Sequence, residues 1–382
     1  MFHFDGFAIA FLATACLIFF LRPRAVHIGL VDKPTARKQH TGEVPLIGGI
    51  AMFCGFIFSC LAIDLSFQAL KPYFAACLII VIIGVMDDFR ELSSLTRFLA
   101  QILAGLIMCF WGEVILHDLG GLWLDGSIVH LSWLAVPFTV FAFVGVVNAV
   151  NMSDGIDGLS ASLVLVALIG LAIVAFVADK MRDFNTLILL SCTVMAFLCF
   201  NLRVFRARAA VFMGDTGSMF LGVSLAWFVV DFSQGADRII SPVTALWFLM
   251  LPLFDTVGIM LRRIIKGRSP FAADREHFHH VLQLAGFTVN QTLLIMVGVS
   301  TFGMLVGLIS YYIGANELLM LMLFLLLFAL YFLGMLRAWR VMKFLSRSIC
   351  RRRGVSSDRR RSQEPSWEGE FENRRVADRR KK

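Results

Sequence analysis

Charged residues are scarce in this chain. Asp, Glu, Lys and Arg make up 16% of its 382 residues, against about 25% in a soluble globular domain. That shortage excludes an ordinary water-facing surface. What replaces it is 58% hydrophobic residues and a mean hydropathy of +0.79, the composition of a polytopic, all-α membrane protein. Paired cysteines are missing too. The eight Cys, at positions 16, 54, 60, 77, 109, 192, 199 and 350, lie almost all inside apolar runs and never at CxxC spacing. They behave as small buried hydrophobes, with no disulfide framework and no cysteine zinc site. A net charge of +8 could suggest nucleic acid, but the basic residues mostly flank apolar segments, so membrane topology explains them without that partner. No cleaved leader is expected, because Arg22 and Arg24 follow the apolar stretch 7–21 instead of preceding it. No internal repeat and no Walker loop is present.

Spanning a bilayer takes roughly 20 apolar residues. Eleven segments qualify: 4–21, 46–65, 72–86, 97–112, 131–150, 158–178, 184–201, 218–232, 241–261, 290–312 and 317–336. The connections alternate in charge. One set, with the C-terminal tail, carries 31 of the 35 Lys and Arg, and the opposite set carries four. Without the tail the ratio is still 15 to 4. The basic face is therefore cytoplasmic and the N-terminus outside. Residues 1–344 form one transmembrane domain, and the basic stretch 345–382 is expected to be a disordered cytoplasmic tail that can rest on anionic lipid.

Every polar cluster then falls at the cytoplasmic edge, where acids beside a bilayer are costly enough to mark function. Asp87-Asp88 end the third span, and adjacent carboxylates need a cation or hydrogen-bond donors to be ionised together; a solvated helix end is the plainer alternative. Asn151-Met-Ser-Asp154-Gly-Ile-Asp157-Gly158 places three oxygen ligands in seven residues. N-capping would explain one of those acids but not all three. Gly214-Asp215-Thr-Gly-Ser218 enters the eighth span as a glycine-rich turn, a natural anion or metal–phosphate site, with simple capping by Asp215 as the rival. The loop 262–289 carries Arg262, Arg275, His277, His279 and His280. Three His in four residues resemble a zinc tract, but the surrounding hard oxygens favour Mg²⁺ or Mn²⁺, with His and Arg binding a phosphorylated substrate. Lys33 belongs to a basic loop that ends in Gly48-Gly49, and Asp255 lies inside the ninth span with no assigned role. Hard oxygens, a phosphate-type turn and a lipid boundary together suit phosphoryl transfer to a membrane-dissolved acceptor.

In order and placement, Asp32-Lys33-Pro34, Asp87-Asp88, Asn148-Ala-Val-Asn-Met-Ser-Asp-Gly-Ile-Asp-Gly-Leu159, Gly214-Asp-Thr-Gly-Ser218 and Ser269-Pro-Phe-Ala-Ala-Asp-Arg-Glu-His-Phe-His-His280 resemble the polyprenyl-phosphate N-acetylhexosamine-1-phosphate transferase family. The last run resembles its GlcNAc branch and lacks the His-His-His-Phe-Glu type run of the muramoyl-pentapeptide branch. The resemblance implies transfer of GlcNAc-1-phosphate from UDP-GlcNAc to undecaprenyl phosphate at the bacterial inner membrane, starting O-antigen or enterobacterial common antigen synthesis. It implies Asp87, Asp88 and His279 as catalytic residues, and Asp215, Asn151 and Asp88 around Mg²⁺, with Mn²⁺ as a substitute and Asp154 as the rival second ligand. It further implies Lys33, Asp154, Asp157, Arg262, Arg275, His277 and His280 as substrate-binding. Membrane lipid and a second copy of the chain are the other expected partners. Glu91 departs from the branch's usual Asp. A sister transferase using another UDP-N-acetylhexosamine and, from a different class, a transporter are the alternatives; the transporter would place its acids near mid-span.

Overall fold

The computed structural model describes residues 3–32, 42–63, 69–203, 208–267, 269 and 277–337. Lys33, Arg275 and the tail 345–382 lie outside the described residues. Thirteen α-helices are described: α1 (Phe4–Ile28), α2 (Gly48–Ala62), α3 (Lys71–Arg90), α4 (Ser94–Phe110), α5 (Ala135–Met152), α6 (Leu159–Val177), α7 (Met181–Asn201), α8 (Gly214–Ser233), α9 (Pro242–Phe248), α10 (Met250–Ile265), α11 (Phe278–Leu284), α12 (Val289–Tyr312) and α13 (Glu317–Leu336). Two antiparallel pairs accompany them, β1 (Val31–Asp32) with β2 (Val44–Pro45) and β3 (Asp118–Gly121) with β4 (Ile128–His130).

Eight of these helices are long and apolar enough to cross a membrane, or nine if α9 and α10, bent by 83° at Leu249, are one broken span. α2 and α4 are apolar but shorter, at 15 and 17 residues. Each of the eleven expected segments coincides with one of these helices or with the bent pair. The largest difference is at the first, where α1 runs on to Ile28; at the third and eighth one end moves by four residues. There the helices run on through the polar motifs, so that Asp87, Asp88 and Asp215 are helical residues.

The centre of the bundle is α8. Its apolar window is 94% buried, against 17% for α13 and 22% for α1. Its N-terminal turn is held in a glycine cradle. A Cβ on Gly49 would come within 2.2 Å of the Gly217 nitrogen, and one on Gly84 within 2.5 Å of the Thr216 Cα. Backbone meets backbone at both places, so neither neighbour can swing aside. The Gly48 and Gly49 amides donate to the Phe212 and Met213 carbonyls at 2.9 and 3.1 Å, locking the entrance of α2 to the strand-like approach to α8. Further down, Phe53 packs on Phe220, and the Tyr73 hydroxyl meets the Ser224 hydroxyl at 2.8 Å. Gly49→Ala is expected to cost more than the ~1–3 kcal/mol of ordinary overpacking, visible as a lowered Tm in detergent. An unchanged melting curve would count against the cradle.

Candidate active site

The first turn of a helix leaves backbone N–H groups without intrahelical partners. At α8 a residue from another helix satisfies them. One carboxylate oxygen of Asp88 accepts from the Asp215 amide at 2.8 Å. The other accepts from the Thr216 amide at 3.2 Å and from the Thr216 hydroxyl at 2.6 Å. Asp88 thus caps α8 from the end of α3, a favourable place for negative charge. Gly214 makes this approach feasible. Its φ of +68° is left-handed, and a Cβ there would strike the Asp88 carboxylate. Three donors on one carboxylate make Asp88 first of all the residue that sets Asp215 in place.

Asp87, one residue back, is buried and turned another way. It accepts from the Leu92 amide at 2.5 Å and from the Arg97 guanidinium at 3.1 Å. The same Arg97 nitrogen lies 3.2 Å from Asp215. A single cation therefore bridges a carboxylate of α3 and one of α8, reaching in from α4. The side-chain amide nitrogen of Asn151 completes the group, donating to Asp215 at 2.7 Å and to the Ser218 hydroxyl at 2.9 Å. The sequence reading missed Arg97. It lies inside an apolar segment where one basic residue looks like a span boundary, and only the fold brings it between two acids.

The chain leaves α5 after Met152 and enters α6 at Leu159. Asp157 pairs with the Arg203 guanidinium and accepts from the Ala209 amide at 3.3 Å, tying this turn to the connection between α7 and α8. Asn201 fastens the same junction: its side chain accepts from the Gly158 amide at 2.5 Å and donates to the Val211 carbonyl at 2.8 Å. Gly158, at φ +80°, supplies the left-handed start of α6. Asp154 is exposed at the turn, with several other carboxylates close to it. Loss of bulk water around it, then the nearby Asp215, Asp157, Asp88 and Asp32, push its carboxyl up to about 7. That mutual influence ties the first three motif clusters to one site.

The histidine run joins them. His279 is 1% exposed and packs on the turn, so that a Cβ on Gly155 would come within 2.2 Å of its Nε2. Both of its ring nitrogens are buried without a hydrogen-bond partner among the described residues. Desolvation, then His280 and His277, push its pKa down to about 3, so the ring is neutral at working pH. His277 is buried and stacks on it, ring centres 5.5 Å apart, while His280 is half-buried with its ring centre 4.2 Å from that of His279. Asp255, His277 and His279 offer ligand atoms within 4.8 Å of one another and could hold a metal ion. Arg262 lines a small crevice with Asp255 and Tyr331.

Of the expected residues in the described part, the acids, Asn151 and the histidines come together, Arg262 lies apart beside Asp255, and Arg97, Arg203, Asn201 and Tyr331 are added. A basic residue at a span edge and a polar side chain within an apolar run were the only signals for these four.

Sequence comparison identifies relatives of the chain. The family described as glycosyl transferase family 4 matches residues 71–233, from α3 to the end of α8. The chain is 37% identical over 346 residues to the undecaprenyl-phosphate alpha-N-acetylglucosaminyl 1-phosphate transferase of Escherichia coli K12, covering 88% of this chain and 92% of that protein. Proteins of the same name from Yersinia pestis and Haemophilus influenzae are 36% and 34% identical, over 92% and 89% of this chain and 96% of each of theirs. With carboxylates from α3 and α8 facing one another and relatives aligned over nearly their whole length, the chain belongs to glycosyl transferase family 4.

Proposed function

We propose that the chain transfers GlcNAc-1-phosphate from UDP-GlcNAc to undecaprenyl phosphate and releases UMP, on the cytoplasmic face of the inner membrane, as the first membrane step of O-antigen or common-antigen synthesis. In this reading eleven segments span, the N-terminus is outside, residues 1–344 are one domain and 345–382 a basic cytoplasmic tail. The observation that carries it is the bridged pair Asp87 and Asp215, with Asn151 and Asp154 beside it, at the N-terminus of a buried helix. Such an N-terminus favours anions, and the Arg97 guanidinium between the two carboxylates marks a place that accepts positive charge.

The donors there are hard oxygens, a set that fits Mg²⁺ or Mn²⁺. Asp215 would hold the ion with the Asn151 amide oxygen or Asp154, and with Asp87 in place of the expected Asp88, both of whose oxygens accept from the first turn of α8. Bound there, the ion would supply positive charge to offset that of the diphosphate and the charge developing on it. Asp87 orients the lipid phosphate, whose oxygen attacks the β-phosphorus. The bond from that phosphorus to the bridging oxygen breaks, and UMP leaves with the oxygen. Asp157 and Arg203 shape the nucleotide end. The His277–His280 run and Arg262 receive the sugar phosphate, with neutral His279 as donor or acceptor.

Purified protein given UDP-GlcNAc, undecaprenyl phosphate and Mg²⁺ is expected to release UMP. No release, or release with UDP-GalNAc alone, refutes the assignment. A phospho-enzyme trapped from UDP-GlcNAc without acceptor would replace the single displacement by a covalent route. The pH dependence follows from Asp154. A carboxyl pushed up to about 7 holds its proton as pH falls below that value, so protons compete with the cation there. The Mg²⁺ concentration for half-maximal rate should rise below pH 7, and Asp154→Asn should flatten that rise. An identical slope in the variant would remove Asp154 from the site.

A further inference from the structure

Asp255 takes no part in the steps above, although it is a buried carboxylate inside α10, 4% exposed. Burying such a group is costly unless every lone pair is well used. Here three donors converge on it. His277 Nδ1 lies 2.8 Å from one oxygen, and the Phe278 amide at 2.9 Å and the Tyr331 hydroxyl at 2.8 Å share the other. Two of the three come from adjacent residues at the start of α11, so the carboxylate fixes both the imidazole and the backbone that carries the histidine run. The third comes from α13.

We propose that Asp255, braced by Tyr331, is a positioning residue for the histidine run. This rests on the transferase reading, with the donor's sugar phosphate received at His277–His280. To donate to the carboxylate, His277 carries its hydrogen on Nδ1, which leaves Nε2 as the ring edge available to substrate. The His277 ring lies within 19° of parallel to that of His279, and His279 rests on Gly155 in the turn that bears Asp154 and Asp157. A continuous line of contacts thus runs from Tyr331 through Asp255, His277 and His279 to the turn between α5 and α6. The two unpartnered ring nitrogens of His279 are what this line sets in place, since a buried polar ring without a partner is stable only where a ligand supplies one. Asp255, His277 and Tyr331 all lie outside residues 71–233, the stretch matched by the family.

The test is Asp255→Asn in the full-length protein, with two readouts. In ¹⁵N-histidine spectra of the wild type in micelles, His277 should show a hydrogen on Nδ1, and the variant should lose it, because the amide NH₂ offers that nitrogen a donor. Turnover of UDP-GlcNAc should fall on the order of 10–100-fold, as for other groups that orient a working histidine, while KM for undecaprenyl phosphate stays unchanged. Added to His277→Gln, Asp255→Asn should cost nothing further, since the two act as one unit. Costs that add, or a wild-type His277 with no hydrogen on Nδ1 (a ring serving as a metal ligand), overturn the proposal. If Asp255→Asn does not accumulate, Tyr331→Phe replaces it: its smaller loss must also vanish beside His277→Gln, and a loss that persists overturns the proposal equally. A wild type that releases no UMP sinks the transferase reading instead, and the histidine spectra still decide whether Asp255 sets the ring.

Discussion

Asp215→Asn is expected to reduce UMP release by on the order of 10³-fold or more while leaving the protein folded. Asp215 is where four elements meet: the cap from Asp88, the guanidinium of Arg97, the amide of Asn151 and the start of α8 itself. The carboxamide keeps its shape and one acceptor but forfeits the charge. A metal clamp on a reacting phosphate contributes several kcal/mol, and each 1.36 kcal/mol is tenfold in rate. Thermal melting should fall less than in Asp88→Asn, because the Asp215 side chain is a third exposed and none of the contacts that cap α8 belongs to it. Substantial turnover with Mg²⁺ in Asp215→Asn would exclude it as the principal ligand.

Asp88→Asn should fail differently. Its carboxylate accepts three hydrogen bonds from the first turn of α8. An amide in its place must turn its NH₂ toward at least one of those donors, leaving a buried group unsatisfied at a cost of about 1–3 kcal/mol. Activity should drop by on the order of 10²-fold, because Asp215 loses its fixed position, and Tm should drop with it. Thr216→Val, which removes one of the three donors, should reproduce a fraction of both effects. Were Asp88→Asn to lose activity with an unshifted Tm, Asp88 would act on the reacting phosphates directly and its cap would be incidental.

Sequence alone made the periodic and the local legible. Long apolar runs showed where helices lie, and the asymmetry of Lys and Arg suggested one face for the acids. The motif around Asn151–Gly158 and the turn at Gly214–Ser218 were visible because their residues are neighbours in the chain. Partnerships between distant residues were not. Asp87 and Asp215 are 128 residues apart, and the Arg97 that joins them could only be recognised once α3, α4 and α8 were packed together. Asp255 illustrates the same limit from the other side. As an acid within an apolar helix it stood out, yet its three donors come from residues 22, 23 and 76 positions away. Gly48 and Gly49 were legible only as the end of a basic loop, whereas their purpose is steric: Gly49 admits the backbone of α8 and Gly48 the Phe197 ring at closer range than any side chain would allow.

The Tyr331 hydroxyl bond has a consequence for how the enzyme meets its lipid surroundings. α13 is the least enclosed of the spanning helices, with 17% of its apolar window buried, so its depth is set largely by the thickness of the hydrocarbon around it. Helices answer thickness mismatch by tilting or sliding, at fractions of a kcal/mol per Å, whereas a hydrogen bond weakens within a few tenths of an ångström. A tyrosine on the outermost helix that holds the carboxylate behind the histidines therefore makes turnover responsive to acyl-chain length. Reconstituted in phosphatidylcholines of increasing chain length, the wild type should show a rate optimum that flattens in Tyr331→Phe.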